Sequence, residues 1–137
     1  FRLATPGSQL GVPIAKTLGN CLSVANVARL SAAFGLQRVK RMLMLAEMIG
    51  ANEALACGYL HQLAEPTDME EATSALVQRL TALAPVTQQV SKQALNRLVQ
   101  HAAPEAEDLI RLAYGSEDFH EGVNAFVAKR KPLWKGL

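Results

Sequence analysis

A chain of 137 residues suffices for one domain with a real core and need not hold more. Half of it is apolar, 5% aromatic and 19% charged, and a net charge of +2 is too small to argue for a nucleic-acid partner. No apolar run approaches a membrane span, and two cysteines, Cys21 and Cys57, give no disulfide framework. Such cysteine usage suits a reducing compartment, with the cytoplasm as the expected location. Phe1 is not an initiator Met, so the chain is expected to begin inside a longer sequence.

The first twelve residues alternate at Phe1 and Leu3, then at Leu10 and Val12, around Pro6-Gly7. This predicts two short extended pieces joined by a turn. An isolated two-stranded unit is marginal in water, so their partners are expected outside this chain, in preceding sequence. Residues 11–20, G-V-P-I-A-K-T-L-G-N, hold one Pro, two Gly and a single charge. An apolar, bent loop of this kind approaches a ligand or another piece of backbone.

From Ser23 the period becomes helical. Val24, Val27, Ala28 and Leu30 share a face that ends at Phe34-Gly35, and Val39, Met42, Leu43 and Ala46 make a second stripe. Glu53 to Cys57 predicts a short third helix stopped by Gly58, and Y-L-H-Q-L reads as extended. Thr67-Asp68-Met69-Glu70 has the spacing of a capping box, in which Thr67 and Glu70 would each satisfy an orphan backbone donor. Behind it Met69, Ala72, Leu76, Leu80 and Leu83 recur at helical spacing up to Ala84-Pro85. Val86, Val90, Ala94 and Leu98 mark a helix ending near Ala103-Pro104, and Leu109, Leu112 and Ala113 another closed by Gly115. Ser116 then offers a side-chain cap, with Glu117 and Asp118 at the positive helix end. Phe119, Val123, Phe126 and Val127 form the expected apolar stripe of this last helix, which Pro132 stops.

No Walker loop, dinucleotide glycine fingerprint, C-x-x-C or H-x-x-x-H pair is present, and no metal site is expected. His61, His101 and His120 lie far apart in polar contexts that suit surface or capping roles, and Cys57 in A-C-G suits packing. Asn20, Cys21 and Ser23 stand directly before a helix start, where free backbone donors attract anions. One reading is a ligand-facing loop with Cys21 acidified by the helix start. The other is an N-cap supplied by Asn20 or Ser23, with Cys21 simply packed. The tail K-R-K-P-L-W-K suits either an anionic partner or the cations that a helix C-terminus favours.

Taken together the string resembles the C-terminal half of the crotonase superfamily, the enoyl-CoA hydratases and isomerases. The resemblance runs through F-R-L-A-T-P-G-S-Q-L-G-V-P, A-R-L-S-A-A-F-G and E-A-L-A-C-G-Y-L-H-Q-L, then A-P-V-T-Q-Q-V-S-K-Q-A-L-N. Its most specific block is the last, D-x-x-E-G-x-x-A-F-x-x-K-R-x-P. The resemblance implies a mainly α chain: C-terminal trimerising helices plus the last strand and loop of a β-β-α spiral whose full-length form is α/β. Residues 1–22 would end the spiral core, 23–66 would close it, and 67–137 would form the helical oligomerisation region. The implied partner is an acyl-CoA thioester, with coenzyme A as part of the substrate and no separate cofactor, in a homotrimer or dimer of trimers. The two oxyanion-hole peptides of the family would lie before Phe1.

Hydratases of this kind carry F-G-x-P-E where this chain has L10-G11-V12-P13-I14, so Ile14 stands at the position of the acid/base Glu. Some relatives place an Asp further on, but residues 19–23 hold Asn20, Cys21 and Ser23 and no carboxylate. An alkyl group cannot accept or deliver a proton. The implied function is therefore an acyl-CoA protein of the superfamily that is not a standard two-Glu hydratase. The resemblance also sets Phe126 and Lys129 near the CoA nucleotide, a ring for adenine and an ammonium for a phosphate. The competing readings are a helical oligomerisation module without chemistry, with Phe126 in the core stripe and Lys129 a solvated cation at a helix end.

Overall fold

The computed structural model describes residues 1–101 and 107–136. The expected helix end at Ala103-Pro104 and the side chain of His101 lie outside the described residues. Two short strands, β1 (Leu3–Ala4) and β2 (Gln9–Leu10), flank the Pro6-Gly7 turn, as the alternation predicts. They are followed by α1 (Ile14–Thr17), α2 (Val24–Phe34), α3 (Leu36–Met44), β3 (Ile49–Gly50), α4 (Ala51–Ala56) and β4 (Gln62–Leu63). Then come α5 (Met69–Thr81), α6 (Pro85–His101), α7 (Glu107–Tyr114) and α8 (Glu117–Val127).

The expectation that the N-terminal strands find no partner within the chain is overturned. β1 pairs parallel with β4, Leu3 opposite Gln62 and Ala4 opposite Leu63, and β2 pairs antiparallel with β3, Leu10 opposite Ile49. The helical hairpin of α2 and α3, reversed at Gly35 (φ 79°), carries the chain back to β2, and the short α4 carries it on to β1. Residues 49–50 are too few to show any periodicity, which hides this partner in the sequence.

The core lies under these strands. Phe34, Val39, Met42, Ile49, Ala51, Ala54 and Leu60 are buried together, and Leu10, Val12, Val27 and Leu30 pack against them. Phe34 stacks on Tyr59 with ring centroids 3.9 Å apart. A charged brace holds α3 to α4: Arg38 Nε and Arg41 Nη1 donate to Glu53 at 2.9 and 2.7 Å, and Arg41 Nε donates to Glu47 at 2.7 Å. The Arg41 guanidinium keeps the Glu53 carboxyl below its usual range.

Three local expectations need correction. Thr67 and Glu70 do not form a capping box: Asp68 is the N-cap of α5 without a side-chain cap, and the Thr67 hydroxyl donates to the Asp68 carboxylate at 2.9 Å. A turn with the Asp68 amide on the Glu65 carbonyl moves the helix start one residue past Thr67. The second stripe stops short of Ala46, which sits beyond α3 with φ 52°. On α8 the buried residues are Gly122 and Ala125, while Phe126 is 68% exposed and Val127 76%. At Gly122 the helix lies against the Leu18 backbone, where no side chain fits; Phe119 stays half-buried against Tyr114, ring centroids 4.8 Å apart, while Phe126 and Val127 turn outward. Among the described residues no helix is long and apolar enough to cross a membrane.

Candidate functional site

The loop of residues 11–23 is built from both ends. Pro13 precedes α1, whose single turn closes when the amides of Leu18 and Gly19 both donate to the Ile14 carbonyl at 3.0 and 2.9 Å. The bent segment thus contains a helical turn that its Pro and Gly content did not reveal. Ile14 opens this turn and is half-buried. At the other end Ser23 caps α2, its hydroxyl accepting from the Asn26 amide at 3.3 Å. Ser23 is thereby engaged in the N-cap, the role that a Ser before a helix start commonly takes.

Between these anchors lie Asn20 and Cys21. Asn20 Oδ1 is buried and has no hydrogen-bond partner among the described residues. A buried carbonyl left in that state costs free energy. Cys21 is half-buried, and its thiol faces the Leu109 carbonyl of α7 at 3.9 Å. Ile14, Asn20, Cys21 and Ser23 therefore share one loop, and that loop carries no carboxylate or imidazole.

The loop's floor is α8. A methyl group at Gly122 would run into the Leu18 carbonyl oxygen, so the helix approaches the loop backbone as only glycine allows. One turn on, Ala125 is fully buried. Gly19, at φ 65°, meets two surfaces: an added Cβ would lie 3.0 Å from the Asp118 carbonyl oxygen and 3.1 Å from the Trp134 ring. Both the left-handed conformation and the crowding exclude a side chain there.

Residues 129–136 fold back along α8. The Glu121 carboxylate takes both Nη donors of Arg130 at 2.6 and 2.9 Å and the Leu133 amide at 2.8 Å. The Asp118 carboxylate accepts from the amides of Lys135 and Gly136 at 2.7 and 2.9 Å. The Arg130 guanidinium, then the Leu133 amide, hold the Glu121 carboxyl at about 2, well below its usual 4.5. Charge-assisted, two-pronged bonds of this kind fix direction as well as distance.

Sequence reasoning did not find Gly122, Gly19, Asp118 or Glu121 as parts of this arrangement. The Gly122-Ala125 spacing, two small residues one turn apart, was the available signal for the close helix face. Phe126 and Lys129 lie at the far end of α8. Phe126 is exposed rather than in a core stripe, and Lys129 follows the helix with φ 51° and an exposed side chain. His61 and His120 are exposed as expected. Among the described residues no group of three or more His, Cys, Asp or Glu converges as a metal site.

Known proteins share this fold. The family profile described as enoyl-CoA hydratase/isomerase matches residues 8–137. Methylmalonyl-CoA decarboxylase of Escherichia coli is 32% identical over 133 residues, covering 93% of this chain and 48% of that protein. The short-chain-enoyl-CoA hydratase of Clostridium acetobutylicum is 30% identical over 135 residues, covering 96% of this chain and 51% of that protein. Among solved structures, a methylmalonyl-CoA decarboxylase in complex with 2-nitronate-propionyl-CoA superposes with a TM-score of 0.89 at 28% identity, over 98% of this chain and 54% of that one. A carnitinyl-CoA dehydratase from Mycobacterium avium superposes at 0.81 with 25% identity, covering 98% and 55%. The chain spans about half the length of the curated relatives it matches. With this fold and a match over nearly its whole length, the chain belongs to the enoyl-CoA hydratase/isomerase family of the crotonase superfamily.

Proposed function

We propose that this chain is the C-terminal part of a CoA-thioester enzyme that forms its enolate without a proton-transferring group at residue 14. The reaction that fits is decarboxylation of an acyl-CoA bearing a carboxylate on its α-carbon. Ile14 carries the reading: it occupies the head of α1 in a loop without any carboxylate. The similarity to methylmalonyl-CoA decarboxylases supports it.

Hydration needs a group that activates water and hands a proton to the α-carbon, and an alkyl chain does neither. Decarboxylation makes different demands. The bond from Cα to the carboxylate carbon breaks, CO2 leaves, and the electron pair stays on the thioester as an enolate. A proton from solvent then ends on Cα. No base has to remove a proton first. A Glu at position 14 would add a second negative charge beside the substrate's own carboxylate, an unfavourable pairing where water is scarce. Stabilisation of the enolate oxygen belongs to backbone donors that the resemblance sets before Phe1.

Phe126 and Lys129 complete the proposal as the contact to the CoA nucleotide, ring face to adenine and ammonium to phosphate. Their exposure on α8 and just beyond it leaves them accessible. Val86, Val90, Leu95, Leu98 and Leu112 are also exposed, apolar surface that the proposed homotrimer would bury. Lys129→Ala should weaken CoA in isothermal titration, more so at low salt, while sizing shows the trimer intact. The loop is tested by hydration of a short 2-enoyl-CoA by the protein from its full reading frame. The wild type should be slow, and Ile14→Glu should raise the rate by up to the ~10²–10⁴-fold that one acid/base group supplies. Hydration at ordinary enzyme rates, unchanged by the substitution, would overturn this reading.

A further inference from the structure

We propose that the C-terminal segment 130–136 is a strap that positions the loop of residues 18–21, with Glu121 and Asp118 as the positioning residues that hold it. The inference stands apart from any particular reaction. It rests on two carboxylates on one helix face, four backbone or side-chain partners in the tail, and one aromatic ring placed by them.

Asp118 and Glu121 are one helical turn apart, so their carboxylates stand on the same side of α8. Together they accept three main-chain N–H groups of the tail, from Leu133, Lys135 and Gly136. Main-chain donors fix the path of the tail rather than merely its proximity. The Arg130 fork on Glu121 locks the start of that path. Between the two clamps sits Trp134, whose ring meets the Gly19 α-carbon region. The opposite side of the same loop rests on Gly122, against the Leu18 carbonyl. Residues 18 and 19 are thus held between helix and strap. Cys21 follows two residues later and adds only a long contact to Leu109.

The residues D-x-x-E-G in α8 and K-R-x-P beyond it thereby acquire one physical meaning. Asp118 and Glu121 are the clamps, Gly122 is the close approach, and Arg130 is the reciprocal charge. Pro132 fits the bend of a segment that must leave the helix direction and return along it.

The chain provides its own reporters. Trp134 is the single tryptophan, and Cys21 and Cys57 are the two thiols, one in the loop and one at the end of α4. The experiment measures Trp134 emission and acrylamide quenching, together with thiol labelling in Cys57→Ser and Cys21→Ser backgrounds. Glu121→Ala removes one clamp from the helix side, and Arg130→Ala loosens it from the tail side without altering α8. Glu70→Gln removes an exposed carboxylate of α5 that bonds to no residue of the tail among the described residues, and serves as control. Both clamp variants should red-shift Trp134, increase its quenching and label Cys21 several-fold faster, with Cys57 and the control unchanged. Trp134 unmoved in both variants would overturn the strap. Trp134 released with Cys21 unaltered would overturn its positioning role. Cys21 and Cys57 accelerating together would show general loosening and would overturn the proposal equally.

Discussion

Replacing Gly122 with Ala is the most discriminating single change for the architecture. In an exposed helix interior that substitution stabilises by about 0.5–1 kcal/mol, because Ala loses less conformational freedom on folding. Here the new methyl meets the carbonyl, carbonyl carbon and Cα of Leu18, all of them backbone. No rotamer can relieve that contact, so α8 or the loop must move as a body. Overpacking a well-filled contact costs about 1–3 kcal/mol, and a backbone obstacle belongs at the upper end. The helix gain offsets part of this, leaving a net loss of about 2 kcal/mol. An unfolding entropy of about 2.1 cal/mol/K per residue gives roughly 0.29 kcal/mol/K for this chain, so Tm should fall by about 7 °C. Gly7→Ala is the matched control, since a Cβ there meets nothing within 4 Å. Its Tm should stay level or rise slightly. Calorimetry or thermal circular dichroism reads both. A Gly122→Ala protein as stable as its parent would refute the close approach of α8 to the loop.

Two further outcomes follow from local geometry. Ser116→Ala removes the acceptor of the Phe119 amide, 3.1 Å away, and should cost about 1 kcal/mol in denaturant unfolding, whereas Thr67→Ala, which caps nothing, should cost only a few tenths. Glu121 supplies an acid-sensitive signal: its folded-state carboxyl titrates near 2 rather than 4.5, so its contribution is complete above about 4.5 and is lost as pH falls through about 2. A carboxyl NMR titration of Glu121 should therefore show its midpoint near 2, and Arg130→Ala should move that midpoint up toward 4.5. A midpoint near 4.5 in the parent would contradict the Arg130 and Leu133 contacts as the cause.

What the sequence made legible was local. Ser23 and Ser116 cap the helices that their positions predicted, because a cap depends on three or four consecutive residues. The stripes of α2 and α3 pointed to a core that does bury Val39 and Met42. The failures share a different cause. The partner of β2 is invisible because β3, two residues long, carries no period, and the pairing of β1 with β4 joins segments nearly sixty residues apart. Hydrophobicity marks Phe126 and Val127 as inward residues of α8, whereas the buried position is Gly122, decided by the backbone of Leu18 some hundred residues away. The burial of Asn20 Oδ1 and the strap lie in the same class: each depends on what tertiary structure brings alongside. The Ile14 substitution, by contrast, was visible at once, because it is a matter of which atoms stand at one position.

The most direct measurement offers the protein from its full reading frame two substrates side by side, an acyl-CoA with an α-carboxylate and a 2-enoyl-CoA of matched chain length, and follows both by mass spectrometry. A loop headed by Ile14 should permit loss of CO2 from the first and leave the second without added water. Rapid hydration of the enoyl-CoA, with the α-carboxyacyl-CoA untouched, would contradict the account at its centre.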